Sequence, residues 1–201
     1  MGILAVDLFI TLDGVYQAPG GPDEDRSGGF GYGGWQAPYF DDESGAMIGA
    51  GIDRLDALLL GRTTYDILAG YWPNQPDSLI AAKFNAAPKF VASRTLTDAS
   101  WAGTTVVSDA ATEVRALKDR FDEIHIIGSG ALARSLIAAD LVDRLNLYLY
   151  PVVFGAGKRL FDGTVPAAFR LAEQPVAFPK GAVSLVYERA GVPVTGIAID
   201  G

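Results

Sequence analysis

The stretch EIHIIGSGALARSLIAADLVDRLNLYLYPVVFGAG, residues 123–157, decides the fold. Ile124 to Ile127 is a short apolar run ended by glycine and reads as a strand; Gly128-Ser129-Gly130 is a turn, and Ala131 to Ala139 an amphipathic helix. Arg144 to Phe154 follows as a second strand, too apolar to face water on either side. The result is a βαβ unit whose turn is aimed at a helix N-terminus. Without a Cβ at 128 and 130 the backbone can approach a ligand, and the first amides of the helix point unpaired N–H groups into the same space. Such a place suits an anionic group, most often a phosphate.

Upstream, residues 3 to 12 (ILAVDLFITL) form a strand closed by the turn pair Asp13-Gly14. A long loop then carries Pro19 to Pro22, the acids Asp23, Glu24 and Asp25, and the run GGFGYGGW at 28–35. A loop of this length inside a compact domain is functional or mobile, and its aromatics Phe30, Tyr32 and Trp35 either cover a flat ligand or anchor the loop on the core. Asp41, Asp42 and Glu43 open a helix over Ser44 to Leu55, their charges suited to its first turn. Ala57 to Leu60, Lys89 to Ser93 and Val106-Val107 read as further strands, with helices after Gly61, over Ser78 to Asn85 and over Thr112 to Phe121. Beyond Phe154 the alternation stops, and Phe169 to Glu173 and Val183 to Glu188 close the chain as two strands before a loose tail at 191–201.

Strands alternating with helices predict an α/β fold: a mostly parallel central sheet with helices on both faces and an antiparallel C-terminal hairpin at its edge. With 201 residues the chain fits one domain, spanning 1–190. Its 16 basic and 24 acidic residues give a net charge of −8, which argues against a nucleic-acid partner. No apolar run approaches the ~18 residues of a membrane span. Asp7 interrupts the first apolar run, so the pattern of a signal peptide is missing and a cytoplasmic protein is expected. Cysteine is absent and His125 is the single histidine, which removes disulfides, thiolate zinc sites, cysteine nucleophiles and any His-based triad. A lone strand histidine of this kind is expected in the core or at a sheet edge rather than in catalysis.

In open sheets of this type ligands lie beyond the carboxyl ends of the strands. Three stretches collect there: Gly61-Arg62-Thr63-Thr64, Ser93-Arg94, and Gly128-Ser129-Gly130 with Ala131 and Leu132. The first joins a guanidinium, two hydroxyls and helix-start amides, a set that suits a phosphate; the second supplies a hydroxyl and a planar fork for a further phosphate or a flat base. Together they match a doubly phosphorylated nucleotide. The turn also satisfies G-x-G-x-x-A through Ala133, but a Rossmann site wants an acid at the end of the next strand, where Tyr148, Leu149 and Tyr150 stand.

Five blocks in order, TLDG (11–14), LLLGRTTYD (58–66), PKFVASRTL (88–96), IIGSGALARSL (126–136) and LVDRLNLYLYPVVFGAGKRLF (141–161), resemble the dihydrofolate reductase-like proteins, and more closely the riboflavin-biosynthesis reductase domain group. The resemblance covers Met1 to about Ala190. It implies NADPH as cofactor, with the adenosine phosphates at Gly61, Arg62, Thr63, Thr64, Ser93 and Arg94 and the pyrophosphate at Gly128 to Leu132. Ser129 stands where the dihydrofolate reductases have paired glycines, and folate is not implied. Relatives are commonly homodimers.

The expected activity is hydride transfer to a small heterocyclic (pterin- or pyrimidine-like) or carbonyl substrate, with Asp13, Trp35, Asp41, Asp42 and Tyr150 as candidate substrate contacts. Each has an ordinary structural alternative: Asp-Gly is a common turn, Asp41 and Asp42 suit a helix start, and aromatics anchor loops. No proton donor stands out, so a non-catalytic nucleotide-binding or ligand-sensing module on the same fold is the second reading. A third has the protein acting through an oligomer interface that includes the strand from Leu145 to Phe154.

Overall fold

The computed structural model describes residues 1–163 and 165–197. Nine strands form one sheet: β1 (Ile3–Thr11), β2 (Ala57–Gly61), β3 (Lys89–Ala92), β4 (Thr104–Val107), β5 (Glu123–Ile127), β6 (Arg144–Tyr150), β7 (Phe169–Leu171), β8 (Val176–Ala177) and β9 (Val183–Arg189). The order is β4-β3-β2-β5-β1-β6-β9-β7, with β8 also on β9. Every pairing from β4 to β6 is parallel, and β9 runs antiparallel to β6, β7 and β8. The expected antiparallel C-terminal edge is thus present. The helices are α1 (Asp42–Asp53), α2 (Arg62–Tyr71), α3 (Leu79–Ala86), α4 (Ala110–Lys118) and α5 (Gly130–Ala138).

Period-two alternation divides each strand between two cores. On one face Leu4, Val6, Leu8 and Ile10 of β1 pack with Val114 and Leu117 of α4 and Ala133, Leu136 and Ile137 of α5. On the other, Leu58, Leu60 and Val91 pack with Tyr65 of α2 and Phe84 of α3, and Ile52 of α1 joins them. The helices following β1 and β2 therefore cover one face while those following β4 and β5 cover the opposite one. β5 lies between β1 and β2, so the chain leaves neighbouring strand ends in opposite directions and opens a crevice beside the end of β5.

Two expectations change. β6 ends at Tyr150, four residues early, because Pro151 cannot donate to the ladder and Asp13 draws the following turn back through the Phe154 and Gly155 amides. β6 lies between β1 and β9 and is paired along both edges. The start of the expected tail is tied down, since Ala168 N donates to Gly191 O at 2.8 Å; residues 198–201 lie outside the described residues.

Candidate functional site

The strand order sets the ends of β3, β2 and β5 side by side, with Gly61 opposite Ala92 and Leu58 opposite His125. All three anticipated stretches meet there. The β2 and β5 ends are locked together: Gly61 N donates to Ser129 Oγ at 2.9 Å and Ser129 N donates to Thr64 Oγ1 at 3.0 Å. Ser129 adopts a left-handed conformation, φ 51° and ψ 38°, that side chains rarely take; its two bonds to the α2 side hold it there. These hydroxyls position the two junctions and are already engaged. The donors left over are backbone amides, because neither α2 nor α5 has a side-chain N-cap bond.

Ser93 turns its hydroxyl back onto the amides of Thr95 and Leu96, shaping the loop after β3. Arg94 is exposed and makes no ion pair among the described residues. Arg62 differs from expectation: its Nε faces both carboxylate oxygens of Asp66, at 2.9 and 2.8 Å, across one turn of α2. Thr63 is exposed beside it.

A residue that sequence reading did not single out fills the centre of the glycine turn. A Cβ on Gly130 would lie 2.3 Å from Cε1 of Tyr16, so the phenol ring rests flat against that backbone. The Ala131 amide lies beside its hydroxyl. Burial, with help from Asp25, raises the Tyr16 hydroxyl above its ordinary pKa against the opposing pull of Arg134 and the Ala131 amide. The α5 N-terminus thus has a polar oxygen before it that belongs to the protein itself.

The anticipated substrate contacts are mostly scaffold. Trp35 is 6% exposed, donates its Nε1 to Gln17 O at 2.7 Å and meets Tyr150 edge-on. Tyr150 is 1% exposed; burial and the Asp41 charge push its hydroxyl up to about 12 despite a hydrogen bond from Gln36. Asp41 is the N-cap of α1 in a reciprocal capping box with Ser44, and also accepts from Lys180 N. Asp42 is exposed in the first turn. Asp13 accepts from Thr11 Oγ1, Phe154 N, Gly155 N and Arg159 Nη2; burial alone would raise its carboxyl, but these donors bring it down to about 2. Asp41 and Asp42 take the helix-start role that the sequence also allows, while Trp35, Tyr150 and Asp13 meet partners far away in the chain. The loop at 12–41 is anchored in the same way. Buried Gln17 donates to Asp25 O and Ser27 O and accepts from Lys158 N, and Phe30 is 5% exposed.

The second omission lies beneath the turn, on the face covered by α1. His125 is fully buried, and its Nδ1 pairs with Asp7 Oδ2 at 2.7 Å. Asn146 Nδ2 donates to Asp7 Oδ1 at 2.9 Å. Burial alone would make His125 harder to protonate, but the Asp7 and Glu123 carboxylates outweigh it and raise its pKa. A signal existed: a carboxylate and the sole histidine, each interrupting an apolar strand, must be paired if those strands are central.

The sequence profile of the RibD C-terminal domain matches residues 3–176. The chain belongs to the RibD C-terminal domain family. Within reach of the family is the uncharacterized protein YyaP of Bacillus subtilis (strain 168), 25% identical over 193 residues that span 94% of this chain and 95% of that protein. A pyrimidine reductase-like protein from Corynebacterium diphtheriae superposes with a TM-score of 0.61 at 13% identity, over 94% of this chain and 92% of its own. Dihydrofolate reductase from Enterococcus faecalis, complexed with NADP(H), gives 0.59 at 18% identity over 94% and 96%. Identities this low establish a shared fold.

Proposed function

We propose that the protein is an NADPH-dependent reductase of a small flat heterocycle, pterin- or pyrimidine-like, or of a carbonyl compound. The observation that carries this reading is the convergence, on one rim of the sheet, of two helix N-termini without side-chain N-cap bonds and of Arg94, which makes no ion pair among the described residues. Amides before α2 and α5 suit phosphate oxygens, and a free guanidinium suits a terminal phosphomonoester. The donor set therefore fits a phosphorylated dinucleotide, with Arg94 rather than the Asp66-bound Arg62 favouring the extra phosphate. Family membership and the reductase neighbours support the same class of reaction.

When bound, the nicotinamide supplies hydride. The chain's own residues do the rest. Amides of Gly130 to Leu132 would hold phosphate oxygens, Ser129 and Thr64 fix the two junctions, and the anchored loop at 12–41 would exclude water from the crevice. The fit carries one condition: Tyr16 must leave Gly130 to vacate the cradle.

Titration with NADPH and NADH, read by tryptophan fluorescence, tests the reading. NADPH should bind more tightly than NADH, Arg94→Ala should erase most of that difference, and Tyr16→Ala should tighten both by removing the competing ring. NADPH oxidation against pterins, pyrimidinones, quinones and dicarbonyls then tests turnover. Absence of binding by either nucleotide at millimolar concentration sinks the assignment, and binding without oxidation of any substrate favours the non-catalytic module.

A further inference from the structure

The loop at 12–41 and the segment after β6 enclose a second cleft, to which none of the three strand-end stretches contributes. Residues 27–30 and Tyr32 form one side and residues 156–158 the other, with buried Gln17 between them, and the cleft holds about 310 Å³. That volume lies at the low end for small-molecule sites. One wall is aromatic. The Tyr32 ring is stacked on Phe154, with 5.1 Å between centroids and 11° between planes, and Phe30 meets both rings edge-on. Tyr32 is nevertheless 55% exposed, so a ring fixed by two phenylalanines keeps much of its surface open to the cleft. A lone exposed tyrosine is ordinary, but one clamped in place loses little freedom when a second ring lies on it.

The polar groups around the cleft are unequally engaged. The side-chain acceptors are occupied: Gln17 Oε1 accepts from Lys158 N at 3.1 Å, and Asp25 accepts from Ser27 N and Oγ at one carboxylate oxygen and from Lys158 Nζ at the other. Donors are left over. The amides of Gly28, Ala156 and Gly157 have no hydrogen-bond partner among the described residues, and the Lys158 ammonium spends one of its three donors on Asp25. Gly28 and Gly29 both have positive φ, 68° and 77°, with open space where a side chain would stand, so nothing shields this rim. Lys158 balances Asp25 and Arg26 balances Asp23, which leaves the unpartnered amides to set the local field, a field that favours an anion.

We propose that this cleft binds a small aromatic carboxylate, its ring laid on Tyr32 and its charge taken by the amides of the two rims and by Lys158 Nζ. The stacked ring selects a flat partner, and the surplus of donors selects an acceptor over a cation. The site goes beyond the reductase reading and stands whether or not a nucleotide binds at the glycine turn.

Three probes separate ring from charge: 2-naphthoate has both, 2-naphthylmethanol lacks the charge, and cyclohexanecarboxylate lacks the aromatic face. Titrations followed by backbone amide resonances should show 2-naphthoate binding at least about tenfold more tightly than the alcohol, the factor of one charge-assisted hydrogen bond. It should also bind about threefold more tightly than cyclohexanecarboxylate, within the range of one aromatic pair. The Gly28 and Gly157 resonances should move on binding. Tyr32→Ala should remove the preference for the aromatic ring and Tyr32→Phe should keep it; thermal unfolding of both variants at the wild-type midpoint confirms that the half-exposed side chain was tested in a folded protein. Equal affinities, no saturable binding at millimolar concentration, or an unchanged ring preference in Tyr32→Ala overturns the proposal. Shifts confined to Gly130 and Ala131 place the carboxylate in the phosphate cradle instead and overturn it as well.

Discussion

Asp13 illustrates how a single residue that looks like a ligand contact serves the scaffold. Its carboxylate gathers a hydroxyl, two amides and an arginine from the segment after β6, closing a contact 142 residues long in sequence. Its folded pKa of about 2 lies below the ordinary 3.8, so its contribution to stability is fully present above about pH 4 and is lost as pH falls through about 2. Asp13→Asn should therefore lower stability at pH 7 by roughly 1–3 kcal/mol, the range for charge-assisted bonds left unmade. The gap to wild type should close in acid. Urea unfolding midpoints of both proteins between pH 7 and pH 2 check this, and a gap independent of pH would assign the loss to packing instead.

At the scale of elements, α3 shows a buried charge used as a helix terminus. Lys89, the first residue of β3, is fully buried; its Nζ donates to the carbonyls of Phe84, Asn85 and Ala87 and lies 4.7 Å from the ring centroid of Trp101. It satisfies orphan carbonyls at the end of α3 and meets the negative end of the helix dipole. Lys89→Met removes every donor and should destabilise by roughly 2–3 kcal/mol, whereas Lys83→Met, on the same helix with a single exposed bond to Asp53 O, should change little. Thermal unfolding of the two variants side by side measures the difference. The α2 and α5 N-termini are handled in the opposite way. Their side-chain hydroxyls tie one junction to the other, neither N-cap residue bonds the first-turn amides, and at α5 the Tyr16 hydroxyl lies beside the Ala131 amide instead.

Across the whole molecule, the sheet runs from an all-parallel half to an antiparallel edge, and its stability should follow that gradient. β5 and β1 lie in the middle, covered on both faces, whereas β7 and β8 are short and exposed at one border. Hydrogen exchange should be slowest at the amides of Val6, Ile124 and Ile126 and fastest in Phe169–Leu171 and Val176–Ala177. Exchange of the β5 amides at the rate of β7 would contradict this architecture. Among the described residues no helix is long and apolar enough to cross a membrane.

What the sequence by itself determined is local and periodic: the βαβ unit at 123–157, the succession of strands and helices, the mostly parallel sheet, and the placing of three turns at neighbouring strand ends. Short-range rules govern these, because alternation, glycine turns and helix starts are written within a few residues of one another. Boundaries that moved, such as the end of β6 at Tyr150, moved where a distant partner intervened, here Asp13. Only the tertiary structure decided which groups are free. Arg62 and Arg94 look alike in the sequence, yet one is taken by Asp66 and the other makes no ion pair among the described residues. Trp35, Tyr150 and Asp13 carry ligand-like chemistry but spend it on the scaffold, while Asp7 and His125, separated by 118 residues, become a pair only when β1 lies beside β5. Hydrogen bonds and charges act over a few ångströms, and folding sets those distances without regard to separation along the chain.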